Sequence, residues 1–157
     1  MVIIVATTCV GRDKELAELA RRAAATATRG SAFLAVVGRP GIGKSVLLRR
    51  LVEQHGGTAF WARAAAWESK TPGAVLRQLL QDDVPAEPAA AATQFVEQIL
   101  QRAAAEQPTI VVIDDAEHTD PLSQHALTTA LRQHRDLPLP MVLATTTGHV
   151  RDLGDLV

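Results

Sequence analysis

The chain has 157 residues, 47% of them hydrophobic and 21% charged, which fits one globular domain and excludes a fibre or a disordered chain. Its 16 Lys and Arg against 17 Asp and Glu leave a formal net charge of -1, which argues against a strongly basic nucleic-acid surface. Cys9 is the single cysteine, so neither an internal disulfide nor a cysteine zinc cluster can be built. No apolar run approaches the roughly 18 residues of a membrane span, and no basic leader precedes Val2. The expectation is a soluble, cytoplasmic protein that contacts no membrane.

The first strand is expected at Val2–Ala6. Val10-Gly11-Arg12-Asp13 then reads as a turn into a helix, with Asp13 as cap and Leu16, Leu19, Ala20 and Ala23 at helical spacing, ending near Thr28. Ala32–Val37 is an unbroken apolar run of the length of a buried parallel strand. A glycine loop, Gly38–Gly43, leads into a helix from Lys44 that stops at His55-Gly56-Gly57. Thr58–Ala62 reads as a strand. A helix is expected from Pro72 to about Gln81, with the proline at its start. After a loop over Asp82–Pro88, Ala89–Glu106 carries Phe95, Val96, Ile99 and Leu100 as a helix. Thr109–Ile113 is the clearest strand, β-branched throughout, and Asp114-Asp115 stand at its end. A helix over Pro121–His134 and a strand over Leu139–Ala144 complete the pattern. Thr145-Thr146-Thr147 follow that strand, and Gly148–Val157 is weakly patterned. Alternating strands and helices predict a single α/β domain over 1–157, a three-layer sandwich with a parallel sheet.

Gly38-Arg39-Pro40-Gly41-Ile42-Gly43-Lys44-Ser45 matches G-x-x-x-x-G-K-[ST] at every position, between a strand and a helix. Glycines let the backbone wrap a phosphate with its N–H groups pointing inward, and the helix that follows offers its positive end. Lys44 is the candidate catalytic cation for the β- and γ-phosphates, and Ser45 a candidate Mg²⁺ ligand. Val46 extends the candidate nucleotide-contacting stretch. A phosphate loop needs an acidic counterpart. Asp114 is the candidate metal residue, and Asp115 the candidate that polarises the attacking water. Glu117 and His118 match no strong zinc spacing. Asp120, just before Pro121, is expected to cap the next helix first of all. Thr145 or Thr146, at the same edge of a parallel sheet as the loop, is a candidate sensor of the γ-phosphate; strand propensity alone would also explain a threonine there.

Three segments resemble the nucleotide-binding domain of AAA+ and STAND ATPases: Val10-Gly11-Arg12-Asp13-Lys14-Glu15-Leu16, the phosphate loop Gly38–Ser45, and Ile113-Asp114-Asp115-Ala116-Glu117-His118-Thr119-Asp120. The likeness is to the ATPase modules of large LuxR-type (MalT-like) bacterial transcriptional regulators and to origin-recognition-like ATPases. It implies a P-loop fold of ASCE type and places Val10, Gly11 and Arg12 near the adenine. It matches Asp114 to the magnesium aspartate, Asp115 to the acid beside it and Asp120 to the acid that closes the motif. The implied order of core strands is 5-1-4-3-2. The chain stops after the fourth, short of the fifth strand and the lid, so core strand one would have an open edge. Val2–Ala6 or a second copy of the chain would cover it. The family's arginine near the threonines has no close counterpart, since Arg151 comes late.

The expected function is Mg-ATP binding with slow hydrolysis, as the switch of a signalling or transcription-regulating ATPase. Two alternatives stay open: an interaction module that binds ATP without turnover, and a small-molecule kinase. The kinase would need an arginine-bearing lid, whereas Arg77 and Arg102 are isolated. Arg132 and Arg135 read as a solvated helix end, with a role across a subunit interface as the alternative. Self-association through the open edge or an ATPase interface is the expected partner chemistry. DNA binding is assigned to a longer parent protein rather than to this segment.

Overall fold

The central strands are apolar at every interior position because alternate residues face different helical layers. Leu34 and Val36, Ile110 and Val112, and Val142 and Ala144 pack in one core with Leu16, Leu19, Leu47 and Leu51. The residues between them, Ala35 and Val37, Val111 and Ile113, Met141 and Leu143, pack in a second core with Leu76, Phe95 and Leu127. The computed structural model describes residues 2–5, 12–27, 30, 32–103 and 108–147. Its elements are β1 (Val2–Val5), α1 (Asp13–Ala27), β2 (Ala32–Val37), α2 (Lys44–His55), β3 (Thr58–Arg63), α3 (Ala74–Leu80), α4 (Pro88–Ala103), β4 (Thr109–Asp114), a 3₁₀ turn over Ala116–His118, α5 (Pro121–Gln133) and β5 (Pro140–Thr145). α1 and α2 cover one face of the sheet; α3, α4 and α5 cover the other. The expected three-layer α/β sandwich with a parallel sheet is what forms.

The sheet order is β1-β2-β5-β4-β3, and every pairing is parallel. β2, β3, β4 and β5 stand in the order 1-4-3-2 of the resemblance. β1 pairs with β2 from Val2↔Leu34 to Val5↔Val37. It fills the edge assigned to a fifth core strand, so the edge of β2 is covered from within the chain and does not await a second copy. All the parallel strands end on one side. The phosphate loop after β2, the acids after β4 and the threonines of β5 therefore share one edge of the sheet.

Several boundaries shift by a residue or two from expectation, and those of α3 and β5 bear on the site. Pro72 does not open α3. It lies in a turn, and Gly73, at φ 75°, is the residue before the helix. β5 reaches Thr145, one residue beyond the expected end, and starts at Pro140, where a missing N–H is tolerated.

Asp120 explains the shift at α3. Its carboxylate is fully buried. Oδ1 accepts from Ser123 N at 3.0 Å, the expected cap of α5, and also from Gly73 N at 2.6 Å. Oδ2 accepts from Val75 N at 3.2 Å. Ser123 Oγ accepts from Leu76 N at 3.1 Å. One aspartate thus satisfies orphan N–H groups of two helices, and α3 begins where those donors reach it. Asp120→Ala strands three buried donors. It is expected to lower the unfolding free energy by about 3 kcal/mol, a cap plus buried amides left unpaired, measured by urea denaturation.

Candidate functional site

Gly41 and Gly43 take left-handed φ values of 74° and 87°, which a side chain would strain, and this lets the loop curl over the start of α2. α2 has no side-chain cap and no acid in its first turn. The other described helices each have a carboxylate at their start: Asp13 and Glu15 on α1, Asp120 on α3 and α5, Glu87 on α4. The N–H groups and positive end of α2 are thus left for an anion, inside a loop that matches the phosphate motif. Arg39, Pro40 and Gly41 are exposed at the tip, Ile42 and Gly43 half-buried behind it.

Lys44 is buried, and its Nζ donates to Gly38 O at 3.1 Å and Arg39 O at 3.3 Å. Neutral carbonyls are weaker partners for an ammonium than phosphate oxygens, so an incoming phosphate would win the lysine from them. Ser45 and Val46 lie in the first turn of α2, Ser45 half-buried and Val46 55% exposed. Of the opening box, Val10 and Gly11 lie outside the described residues. Arg12 is buried, and its Cζ lies 3.7 Å from where a Cβ on Gly43 would stand. The box and the phosphate loop therefore meet through Arg12 and Gly43. An alanine at Gly43 would meet Arg12 in ordinary van der Waals contact, so its strain would come from the φ of 87°.

Gly38 N donates to Thr145 O at 3.2 Å, which ties the loop to the end of β5. The Thr145 side chain is fully buried, yet its Oγ1 meets no hydrogen-bond partner among the described residues. Buried hydroxyls seldom stay unpaired, and this one stands beside the loop. A γ-phosphate oxygen or its water would satisfy it. With Lys44, the Ser45 hydroxyl and Asp114, the donor set fits a magnesium–nucleotide. Thr146 is half-buried and Thr147 exposed. Arg151 lies outside the described residues.

Asp114 ends β4, is buried, and accepts Asp115 N at 3.1 Å through Oδ1. Asp115 has φ 52°, a left-handed turn that costs a side-chain-bearing residue energy but that aspartate tolerates better than most. The turn directs its carboxylate to β3, where Oδ2 accepts from Arg63 Nε at 3.0 Å. That hydrogen bond, then the charges of Asp115 and Asp114, raise the pKa of the Arg63 guanidinium from its usual value. The pair is 68% exposed on the arginine side, so solvent screens it. Sequence reasoning passed over Arg63. Its signal is the pairing Arg63↔Asp114, legible only once β3 and β4 are known to be neighbours.

Past Arg63 the chain forms a groove of about 560 Å³ lined by Trp67, Glu68, Asp115 and His118 among others. Trp67 is 81% exposed. Arg102 lies 5.1 Å over the Phe60 ring and donates to Leu80 O at 2.9 Å. Arg132 is in the last turn of α5, and the Arg135 carbonyl crowds Gly30 ahead of β2, so both lie at the end of the sheet opposite the phosphate loop. Thr145→Val removes an unpaired buried hydroxyl at nearly constant shape. The free protein is expected to keep its thermal midpoint or gain up to about 1 kcal/mol, checked by melting.

No helix among the described residues is long and apolar enough to cross a membrane. No curated protein matches the chain. Among solved structures it is similar to the ORC2 protein of Aeropyrum pernix, at 19% identity and a TM-score of 0.64, covering 98% of this chain and 45% of that one. It is similar also to Cdc6p of Pyrobaculum aerophilum, at 18% identity and a TM-score of 0.58, covering 93% of this chain and 41% of that one. The chain spans less than half the length of either, and at these identities the likeness shows the fold. The sequence profile of the AAA ATPase domain matches residues 8–143. With the phosphate loop, the acidic strand end and the strand order all in place, the chain belongs to the AAA ATPase domain family.

Proposed function

We propose that the chain binds Mg-ATP and hydrolyses it slowly, as the nucleotide switch of a bacterial signalling or transcription-regulating ATPase. One observation carries the binding: an uncapped helix start, a buried ammonium and an unpartnered buried hydroxyl converge on a single glycine loop. The Aeropyrum pernix structure is described as ADPNP-ADP complexes, which supports an adenine nucleotide as the ligand. The regulatory setting rests on the opening Val10-Gly11-Arg12-Asp13 box and its LuxR-type resemblance, and a cytoplasmic location goes with it. Self-association through an ATPase interface, and DNA binding by other parts of a longer protein, belong to the same reading.

Lys44 and the loop N–H groups would hold the β- and γ-phosphates, and Arg12 and Val46 would flank the nucleoside side. Ser45 and Asp114 would hold Mg²⁺, which supplies charge neutralisation on the phosphate oxygens when bound. Thr145 Oγ1 would meet the γ-phosphate end. Water attacks the γ-phosphorus in line, giving ADP and inorganic phosphate.

A second reading, ATP binding without turnover, is favoured by one observation. Asp115, the acid expected to orient the water, is held by Arg63 instead. Phosphate release with no added acceptor separates the two readings.

Calorimetric titration of ATP with and without Mg²⁺ tests the site. Lys44→Ala is expected to weaken binding about 10- to 100-fold, as the loss of a charge-assisted phosphate contact does. A folded wild type that binds no nucleotide overturns the proposal. Thr145→Val is expected to bind ADP like the wild type and ATP several-fold more weakly. Equal loss for both nucleotides would remove Thr145 from the γ-phosphate.

A further inference from the structure

β3 is the last strand of the sheet and pairs with β4 alone. Thr58 N donates to Pro108 O and Ala64 N to Asp114 O, both at 2.9 Å, so the even-numbered residues of the strand turn their backbone groups to β4. The odd-numbered residues turn theirs outward. Arg63 N is one of these and is met by Gln78 Oε1 at 2.9 Å. The outward N–H and C=O groups of Ala59 and Trp61 meet no protein partner among the described residues. No proline or charged residue interrupts 58–62 to discourage pairing. The side chains add a second feature. α1 packs over β2 and β5, and α2 over β5 and β4, so the helical layer on that face thins out at β3. Ala59 and Trp61 are left half-buried at the rim of the core with Val52 of α2, whereas Ile110 and Val112 of β4 are fully buried.

α2 runs from the phosphate loop down to His55 and the chain then returns in β3, so the two are antiparallel. Arg50 lies on the flank of α2 toward α1, 3.9 Å from Asp13. Arg49 and Val52, three positions apart, are neighbours on the flank turned the other way, above β3. Arg49 is exposed, forms no ion pair among the described residues and stands nearer the Arg63 end of β3. Glu53, also exposed, stands nearer the Thr58 end.

We propose that the outer edge of β3 is a docking site for an extended segment of a partner protein, which adds to the sheet as a further strand. The site does not depend on the nucleotide reading. Open amides and carbonyls at every second residue call for an extended backbone, and the half-covered rim calls for apolar side chains at alternate positions over Trp61 and Val52. Antiparallel pairing is the more stable per residue. The charge of Arg63 is shared with Asp115, so Arg49 sets the electrostatic preference. With a cation toward the Arg63 end and an anion toward the Thr58 end, an antiparallel segment fits when an acidic residue comes first and the apolar residues follow.

The probe is a blocked synthetic peptide of about eight residues, a glutamate followed at alternate positions by valine and isoleucine, with threonine between. Its affinity is read by fluorescence anisotropy of a labelled copy, the backbone amides by NMR hydrogen exchange, and the molar mass of the protein by sedimentation. In the free chain the amides of Ala59 and Trp61 are expected to exchange fast beside protected Phe60 and Ala62, and to slow about tenfold or more when the peptide is bound. Binding is expected with a Kd of about 100 µM. N-methylation of the peptide amides that face β3 is expected to abolish it. Ala59→Pro removes an outward N–H and leaves the ladder to β4 intact, and is expected to weaken binding about tenfold or more. Lysine in place of the peptide glutamate is expected to cost several-fold, and Arg49→Glu to reverse that preference. Arg49→Glu changes only an exposed side chain, so it serves if the proline variant does not fold. A folded wild type that binds no peptide up to about 1 mM overturns the proposal, as does binding indifferent to methylation or to the charge at Arg49. Protection of Ala59 and Trp61 in the free monomer also overturns it. A wild type that is dimeric and becomes monomeric as Ala59→Pro assigns the edge to a second copy and overturns it too.

Discussion

A parallel strand covered on both faces has room for polar side chains only at its ends. β4 and β5 are buried at every position, and β2 is apolar throughout. That constraint puts the chemistry of this chain on one edge. Gly38 follows β2, Asp114 closes β4 and Thr145 closes β5, and the parallel register brings all three to the same side. The helical layers work as walls that keep water from the strands. The site is what remains where the walls stop, and its loops are short enough for each strand end to hold its own side chain in place.

The phosphate loop was legible because it is local. Eight consecutive residues fix its shape, and the flanking strand and helix are set by their own apolar spacing. The cap at Asp120 was legible for α5 for the same reason, since Asp120 and Pro121 are neighbours. Its bonds to Gly73 and Val75 were not, because they join residues more than forty positions apart and depend on how α3 packs beside α5. The start of α3 was misplaced on that account: Pro72 is a good first helical residue by propensity, but the buried carboxylate decides where the helix begins. Arg63 escaped notice for a related reason: it belongs to no spacing pattern and gains meaning only from the pairing of β3 with β4.

Resemblance and geometry make different contributions. The motif resemblance gives roles to Asp114, Asp115 and Asp120 by their order and none to Glu117. The structure gives each a neighbour. Asp114 is buried and faces its own following amide, Asp115 faces an arginine, Glu117 a covered space, and Asp120 the amides of two helices. Four acids within seven residues therefore occupy four different environments, and chemical role follows environment more closely than order.

The bonds that end β3 and begin α3 also define the segment between them. Ala64 N donates to Asp114 O, and Gly73 N donates to Asp120 Oδ1. Residues 64–73 are thus a surface arch with both feet on the acidic segment, and Trp67 stands at its exposed crown. A displacement of the acidic segment moves both feet together, so the arch is carried along rather than stretched. The Trp67 indole thus rides on a segment whose two ends are both anchored to the acids at and after the end of β4.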